Sequence, residues 1–576
     1  MSFRKVGKYF DYIVIGAGTA GGVIAKELTD DRKTSVLVLE AGTNEMDELS
    51  NPSGAVAQAN ASDNKYTFNI LSRLENAIGR QLLLSGGRVI GGSSEHNAML
   101  AVRGSRQLYD EWASIAGSQW GYDSLRSLFK KNETYTGLTQ DPDERGTSGP
   151  IFVRQQNIPE GGLTTILANA TSQVLGVPIV EDYNTGVRDC TFFKSQFTHE
   201  RVEGGFVRSS TATGYLNENI VTQGDEFQAD EFGVDRRKLF ILAKSTVNKI
   251  LFKRKKGSLV AMGVEFVKDG VTKRTFARKG VIVSAGNLSS VILQRSGIGR
   301  PEDLAEAGLL TRVESPNVGY NFQTHYASGI GIEVETSRLL QVRDADPSQP
   351  IPIGAFKSED GEGRRLQLLG NLFPRFVPIQ DVIINNWEFD PRKPSNIMSI
   401  GIVDLNPRSK GTVLAAHSDP EAYPSVGFNP LENQNDLDFM INNYIRVFNI
   451  VKQARKLDPE GIYRVVYPSE DVFHIENDME KHSRLADFVR ASYTALNHYG
   501  GQCRMGHTIE EGVVDGFLNV FGTQNLKVAD LSIAPILPDG NTAIPAQVIG
   551  LNAIRFLKEN PSPFVLNDSD FKSYNL

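Results

Sequence analysis

The sequence predicts an α/β protein: a βαβ nucleotide-binding domain joined to a second, α+β domain that contains an antiparallel sheet. Three observations predict it. A GxGxxG motif near the N-terminus follows an apolar run directly and opens a helical pattern. Beyond residue 326 the texture changes to alternating apolar and polar positions, the period of a half-buried strand. The chain has 576 residues, whereas a single hydrophobic core stops growing at roughly 250–300, so at least two domains share it.

Residues 11–15, Asp-Tyr-Ile-Val-Ile, read as a buried strand, and Gly16-Ala17-Gly18-Thr19-Ala20-Gly21 follows without a gap. Ala20, Val23, Ile24 and Leu28 repeat at helical spacing, and Val36–Leu39 supplies a second strand. Glu40 ends that strand, 19 residues after Gly21, where a carboxylate accepts hydrogen bonds from an adenosine ribose. Gly16 permits the turn, Gly18 lets the backbone approach a pyrophosphate, and Gly21 lets helix and strand pack closely. This is a Rossmann-like, FAD/NAD(P)-binding unit. The motif alone does not choose between the two cofactors, although Glu40 argues against a 2′-phosphate.

Further along, Lys238–Phe252 reads as two short strands, Lys253-Arg254-Lys255-Lys256-Gly257 as a solvated hairpin tip, and Val281–Val283 as a strand before a turn. The runs Ile330–Glu335 and Ser399–Val403 suggest antiparallel strands of the second domain, and Asp344–Arg365, rich in Pro, Gly, Asp and Glu, reads as an exposed loop. Near the C-terminus Asn541-Thr542 precede Pro545 and a helical pattern at Ile544, Val548, Leu551 and Ile554.

Composition excludes other classes. The charge balance, 61 Lys+Arg against 68 Asp+Glu for a net −7, leaves no basic footprint for nucleic acid. Cys190 and Cys503 are too far apart in sequence for a disulfide framework or a metal knuckle, so a reducing, cytoplasmic setting is expected. No apolar run is long enough for an ordinary membrane span, and MSFRKVGKYF is too short and polar for a secretory signal.

At this point the chain resembles the glucose–methanol–choline oxidoreductases, FAD-dependent enzymes acting mostly on alcohols. Six ordered motifs carry the resemblance. After the βαβ unit with Glu40 comes Gly87-Arg88-Val89-Ile90-Gly91-Gly92-Ser93-Ser94-Glu95-His96-Asn97, similar to the family's GRxxGGSSxxN signature at the flavin. Gly204–Ala212 and Ala243–Val247 follow, then Ser284–Gly299, then Val318–His325, similar to VGxNLQDH, and finally His498 through Asp530 to Asn541. Two departures stand out: the 284–299 signature is one residue short with Ser290 in place of a common proline, and Ala98 replaces a glycine after the signature asparagine.

The resemblance implies FAD as cofactor, held by Gly16, Gly18, Thr19, Ala20, Gly21, Glu40, Ala41, Arg88, Gly92, Ser93, His96, Asn97, Ala98, Met99, Val247, Asp530, Asn541 and Thr542. It places glycine approaches to the cofactor at 16–21, 86–92 and 297–299. Asp530 is expected to end a strand and bond the ribityl chain, and Thr542 to face the flavin at a helix N-terminus. A choline-oxidase-like pair is implied at the reacting carbon, with His498 as base and Asn541 positioning the substrate oxygen. A subset of the family links a histidine at the place of His96 covalently to the flavin 8α-methyl carbon, which raises the flavin potential. His325 is expected to make a structural hydrogen bond, and His507 receives no role.

The expected partners are a small-molecule alcohol and O2 or another electron acceptor. The oligomeric state, the alcohol, and the choice between oxidase and dehydrogenase stay open. The expected division is a discontinuous FAD-binding domain from 1–155, 200–325 and 495–576, with a substrate domain from 156–199 and 326–494. Trp387, Phe373 and Phe376 are candidates to line the substrate pocket. A lyase or photodecarboxylase on the same scaffold, using FAD without net alcohol oxidation, and a non-catalytic flavoprotein are the alternatives.

Overall fold

The computed structural model describes residues 7–44, 66–203, 205–224, 230–348, 350–359, 363–388, 390, 393 and 395–574. Most of the N-terminal decapeptide and Gly204 of the third motif lie outside these residues.

The N-terminal motif folds as its pattern requires. β1 (Tyr9–Ile15) is followed by α1 (Gly21–Leu28) and β2 (Val36–Leu39). β2 is fully buried, consistent with its uninterrupted apolar sequence, since a parallel strand covered on both faces has no polar side to show. β1 pairs in parallel with β2 on one side, Ile13 opposite Leu37, and with the later strand Val271–Val283 on the other, Ile13 opposite Val281. The sheet continues through β3 (Leu239–Leu242), β4 (Ser245–Lys255), β5 (Ser258–Lys268) and β6 (Val271–Val283), giving eight strands with Glu231–Phe232 and Leu526–Val528. β4, β5 and β6 form an antiparallel meander at one edge. The charge run at its tip is not merely solvated: Lys253 and Lys255 both pair with Asp570 of the C-terminal segment. A helix at the C-terminus, Ala543–Glu559, packs on α1, and at the crossing a methyl on Gly550 would stand 2.8 Å from the Ala20 carbonyl oxygen.

A second sheet of seven strands is antiparallel throughout its pairings. It is built on β7 (Tyr326–Glu333), β8 (Ile353–Glu359), β9 (Arg364–Asn371) and β10 (Ile397–Asp404), with Ile330 opposite Ile400. Cys190–Phe192 extends it beyond β8, and Thr494–Ala495 pairs with β7. The exposed loop expected at 344–365 is therefore wrong in substance. This stretch begins in the end of a helix, Thr336–Ala345, then supplies β8 and the start of β9. Of the polar residues that suggested a loop, Asp346, Arg364 and Arg365 are buried in ion pairs, while Ile353, Ala355 and Phe356 enter the core. A 24-residue helix, α2 (Gln434–Leu457), and a shorter one, α3 (Asp478–Ser492), cover this sheet.

One buried ionic cluster ties sheet to helix. Arg364 donates to Asp404 at 2.6 Å and to Asp436 in the first turn of α2 at 2.5 Å, and all three are nearly inaccessible. Burial pushes the Asp404 carboxyl up to about 7 despite the Arg364 guanidinium. Burial also pushes Asp436 upward, but hydrogen bonds from Ser409 and Arg364 outweigh it and hold that carboxyl below its usual range. Arg364→Leu would strand two buried carboxylates, with an expected loss of about 3–5 kcal/mol. Urea unfolding followed by circular dichroism checks this, and an unchanged midpoint would contradict it.

Candidate functional site

A cavity of about 680 Å³ lies along the C-terminal ends of β1 and β2 and reaches the second sheet. Its dinucleotide end is lined by Gly16, Gly18, Thr19, Ala20, Glu40, Ala41, Arg88, Gly92, Ser93 and Val247. Gly21 is not on the wall. It lies beneath the loop, where a methyl would stand 2.0 Å from the Gly16 carbonyl oxygen, so its role is helix–strand packing. Gly92, at φ +58°, would place a methyl 2.7 Å from the Gly18 Cα, and Gly42 one 1.9 Å from the Arg88 carbonyl oxygen. Backbone therefore meets backbone at both crossings.

Glu40 is fixed by the same loops. One carboxylate oxygen accepts the Ala17 N–H and the other the Gly42 N–H, each at 2.8 Å. Burial raises its pKa, and these two N–H groups oppose the rise. A ribose hydroxyl would use the remaining lone pairs. Asp530 lies two residues beyond the strand Leu526–Val528 rather than at its end, and caps the short helix Leu531–Ile533. Its carboxylate already accepts from Gly286 N, Ser289 Oγ and Ser532 N. Gly297 and Gly299, expected at the cofactor, are absent from the cavity wall: Gly297 makes a turn packed against the Leu310 carbonyl.

The middle of the cavity is lined by His96, Asn97, Ala98 and Met99, and by Asn541 and Thr542. His96 ends the one-turn helix Gly92–Glu95, and its Nε2 is buried with no hydrogen-bond partner among the described residues. Burial, with the nearby Arg208 charge, pulls the imidazole down to about 4. Asn97 is occupied internally: its Oδ1 accepts from Met99 N and from Arg208, which also bonds the Ser94 and Asn97 carbonyls. Thr542 precedes α4 (Ala543–Glu559), so the free N–H groups of that helix start at the cavity wall. A glycine cradle, an acidic group at the ribose position, a helix N-terminus and an unpartnered buried imidazole nitrogen together fit FAD.

At the second-sheet end stand His498 and Asn541. The loop carrying His498 is pinned by Tyr499, whose hydroxyl donates to Asn497 Oδ1 at 2.5 Å and lies 2.8 Å from the Leu83 carbonyl. Asn541 Nδ2 is 3.1 Å from His498 Nε2, and His498 Nδ1 is 2.9 Å from His325 Nδ1. These contacts set the tautomers. An amide nitrogen only donates, so Nε2 of His498 is the acceptor and its proton sits on Nδ1, which donates to His325. The hydrogen bond expected of His325 thus exists, with His498 as its partner. Burial and the charge of Arg375 pull His498 down to about 4, and burial holds His325 well below the usual imidazole range. At neutral pH His498 is accordingly uncharged, with its Nε2 lone pair accepting the Asn541 amide N–H.

Sequence reasoning missed one partner of the pair and one member of this wall. His325 was placed in a motif but not at the pair. Arg375, between Phe373-Pro374 and Phe376, also lines the cavity, and burial lowers its guanidinium to about 10. Its signal was one charged residue within the otherwise uncharged and mostly apolar run Leu368–Val377. Of the aromatic candidates, Phe376 is on the wall, while Phe373 and Trp387 are not. His507 is exposed on the surface.

The chain is similar over most of its length to known proteins. Two family models described as GMC oxidoreductase match residues 10–327 and 407–550. An uncharacterised GMC-type oxidoreductase of Mycobacterium tuberculosis is 29% identical over 569 residues, covering 95% of this chain and 99% of that protein. The mitochondrial choline dehydrogenase of Homo sapiens is 29% identical over 596 residues, covering 98% and 92%. The crystal structure of pyridoxine 4-oxidase from Mesorbium loti shares the fold, with a TM-score of 0.76 at 22% identity over 96% of this chain and 99% of that one. Gly92→Ala, which removes the close approach to Gly18, is expected to yield protein with far less bound flavin than wild type. The ratio of flavin to protein absorbance measures it, and equal ratios would speak against the cradle.

Proposed function

Because the chain belongs to the GMC oxidoreductase family and is an FAD-dependent alcohol oxidoreductase, we propose that it oxidises the CH–OH group of a small alcohol with His498 as base and Asn541 as the group that positions the substrate oxygen. The observation that carries this reading is the convergence of His498 Nε2 and the Asn541 amide, 3.1 Å apart, on the wall of the cavity that the dinucleotide loops line. FAD, when bound along this wall, would supply the two-electron acceptor for the carbinol hydrogen as hydride. The alcohol O–H enters between the two side chains, donating to Nε2 while accepting an N–H of Asn541. As His498 takes the proton, its Nδ1–H bond to His325 strengthens, because the donor is then a cation. His325 thereby positions the base and fixes its tautomer.

The remaining assignments belong to the same reading. Gly16, Gly18, Thr19, Ala20, Glu40, Ala41, Arg88, Gly92, Ser93, Asn97, Ala98, Met99, Val247, Asp530 and Thr542 would hold the cofactor, supported by their common wall. His96 Nε2 would carry the flavin through its 8α-methyl carbon, supported by the absence of any other partner for that atom among the described residues. The segments 1–155, 200–325 and 495–576 would form the FAD-binding domain, and 156–199 with 326–494 the substrate domain. A cytoplasmic, reducing setting is supported by two free, buried cysteines. O2 or another acceptor would reoxidise the cofactor. Choline, the alcohol in the human relative's name, carries a permanent positive charge, so the charge of this pocket decides whether such a substrate suits it.

His498→Ala is expected to slow anaerobic flavin reduction by about 10²–10⁴-fold. In the wild type the reduction rate should stay level from pH 8 down to about pH 5 and fall only near the imidazole's value of about 4. An unchanged variant rate, or a wild-type limb near 6.5, would remove His498 as the base. Acid precipitation tests His96: flavin retained in the pellet is the expected outcome, and a yellow supernatant excludes the covalent link.

A further inference from the structure

The face of the second sheet that carries Leu369 to the cavity is hollowed along one row. Gly329 of β7 stands opposite Gly401 of β10, Gly401 opposite Leu369 of β9, and Leu369 opposite Gly354 of β8. Directly opposed residues point to the same face of a sheet, so in this row Leu369 alone carries a side chain. The Phe376 ring lies in the gap. A methyl on Gly401 would stand 2.3 Å from its Cδ2 and Cε2, and one on Gly329 2.6 Å from its Cβ. Gly354 gives way in the same manner to Phe192, whose Cζ would be 2.5 Å from a methyl there. No larger residue fits beneath the Phe376 ring, so its position is set by the sheet itself.

An aromatic ring over strand glycines can serve packing alone. This one is also cavity wall: Phe376 and Leu369 line the cavity together with His498 and Asn541. Ile351, Met99 and Leu100 line it too, and belong to the same buried apolar cluster as Phe376 and Leu369. That cluster reaches the catalytic pair from both sides. Leu496 packs against it, lies two residues before His498 and donates its backbone N–H to the His325 carbonyl at 2.9 Å. On the other side, a methyl on Gly540, the residue before Asn541, would stand 2.7 Å from Val102 Cγ1, a further member of the cluster. Arg375, next to Phe376 in sequence, places its guanidinium carbon 5.6 Å from the ring centroid. An alcohol whose hydroxyl lies between His498 and Asn541 therefore has its carbon substituent beside apolar side chains. Each buried methylene is favoured there, whereas a charged group loses its hydration.

We propose that the substrate of this site is an uncharged alcohol whose carbinol carbon carries an apolar group, and that Phe376, seated on Gly329 and Gly401, is the residue that selects it. The proposal rests on the alcohol-oxidising reading above and gives its substrate class. In the reaction the hydroxyl proton passes to His498, the carbinol hydrogen leaves with two electrons as hydride to FAD, the C–O bond becomes double, and the product is the corresponding aldehyde or ketone. The apolar group takes no part in these steps. Its burial against the ring holds the carbinol carbon in place while they occur.

The test separates binding from turnover. Titration of the purified holoenzyme, followed by the perturbation of flavin absorbance, uses tertiary alcohols, which have no carbinol hydrogen and cannot be oxidised. 2-Methyl-2-pentanol, two methylenes longer than tert-butyl alcohol, is expected to bind at least about tenfold more tightly. Phe376→Ala should cut that ratio to about threefold or less, and Phe376→Leu should restore part of it. Flavin content and circular dichroism show that each variant is folded. Equal affinity of the wild type for the two alcohols, or a ratio indifferent to Phe376→Ala, overturns the proposal. Anaerobic flavin reduction is then followed with ethanol, 1-butanol, benzyl alcohol, choline and lactate. Its second-order rate constant should rise about fourfold per methylene from ethanol to 1-butanol, with choline and lactate slower than 1-butanol. Preferential binding of the longer tertiary alcohol without reduction by any of the primary and secondary alcohols leaves the apolar site standing and defeats the alcohol-oxidising reading. Faster reduction by choline or lactate than by 1-butanol leaves the oxidation standing and overturns the substrate class.

Discussion

Segments from distant parts of the chain meet in this protein at separations that admit hydrogen and nothing larger. A methyl on Gly16 would stand 2.5 Å from the Ser284 carbonyl oxygen, one on Gly42 1.9 Å from that of Arg88, and one on Gly92 2.7 Å from the Gly18 Cα. These contacts bring the first βα turn, the end of β2, the 86–92 segment and the end of β6 to one place. The cavity exists because these four backbones line it without side chains between them. Glu40 completes the junction, since its two oxygens tie the first turn to the residue after β2. The same close approach leaves backbone N–H groups facing the space, which suits a pyrophosphate better than any charged side chain of this acidic protein would.

At the other end of the cavity, desolvation takes over from packing as the governing effect. Burial lowers His96, His325 and His498 and lowers Arg375, yet the consequences differ because the starting points differ. An imidazole that begins near 6.5 becomes a neutral lone-pair donor, whereas a guanidinium that begins above 12 stays charged. One wall therefore combines a neutral base with a permanent cation. Lys410, drawn down to about 8 by burial, donates to Gln323, and its charge acts on His325 as well as on Asp404 and Asp436.

Much of the first domain was legible because its signals are local. Gly16 through Gly21, the buried strand before them and Glu40 after them fall within about thirty residues, and each follows from turn geometry or strand periodicity. The helix start at Thr542 was legible for the same reason, Pro545 being suited to a first turn. The 344–365 stretch misled because composition does not show where charges are paired: Arg364 and Arg365 look like surface residues until Asp404, Asp436 and Asp539 are brought to them. Gly297 and Gly299 misled in the opposite sense, since glycine marks a close approach without saying what approaches.

By itself the sequence determined the dinucleotide unit and the family to which the chain is similar, and it pointed to His498 and Asn541, because each is written in residues a few positions apart or in ordered motifs. Only the tertiary structure decided which groups surround that pair. His325 meets His498 across 173 positions, and Arg375 reaches the same wall from a strand connection in the other sheet. Hydrogen-bond partners and the field at a buried base depend on distances between segments remote in sequence, and those distances exist only once both sheets have packed around the cavity.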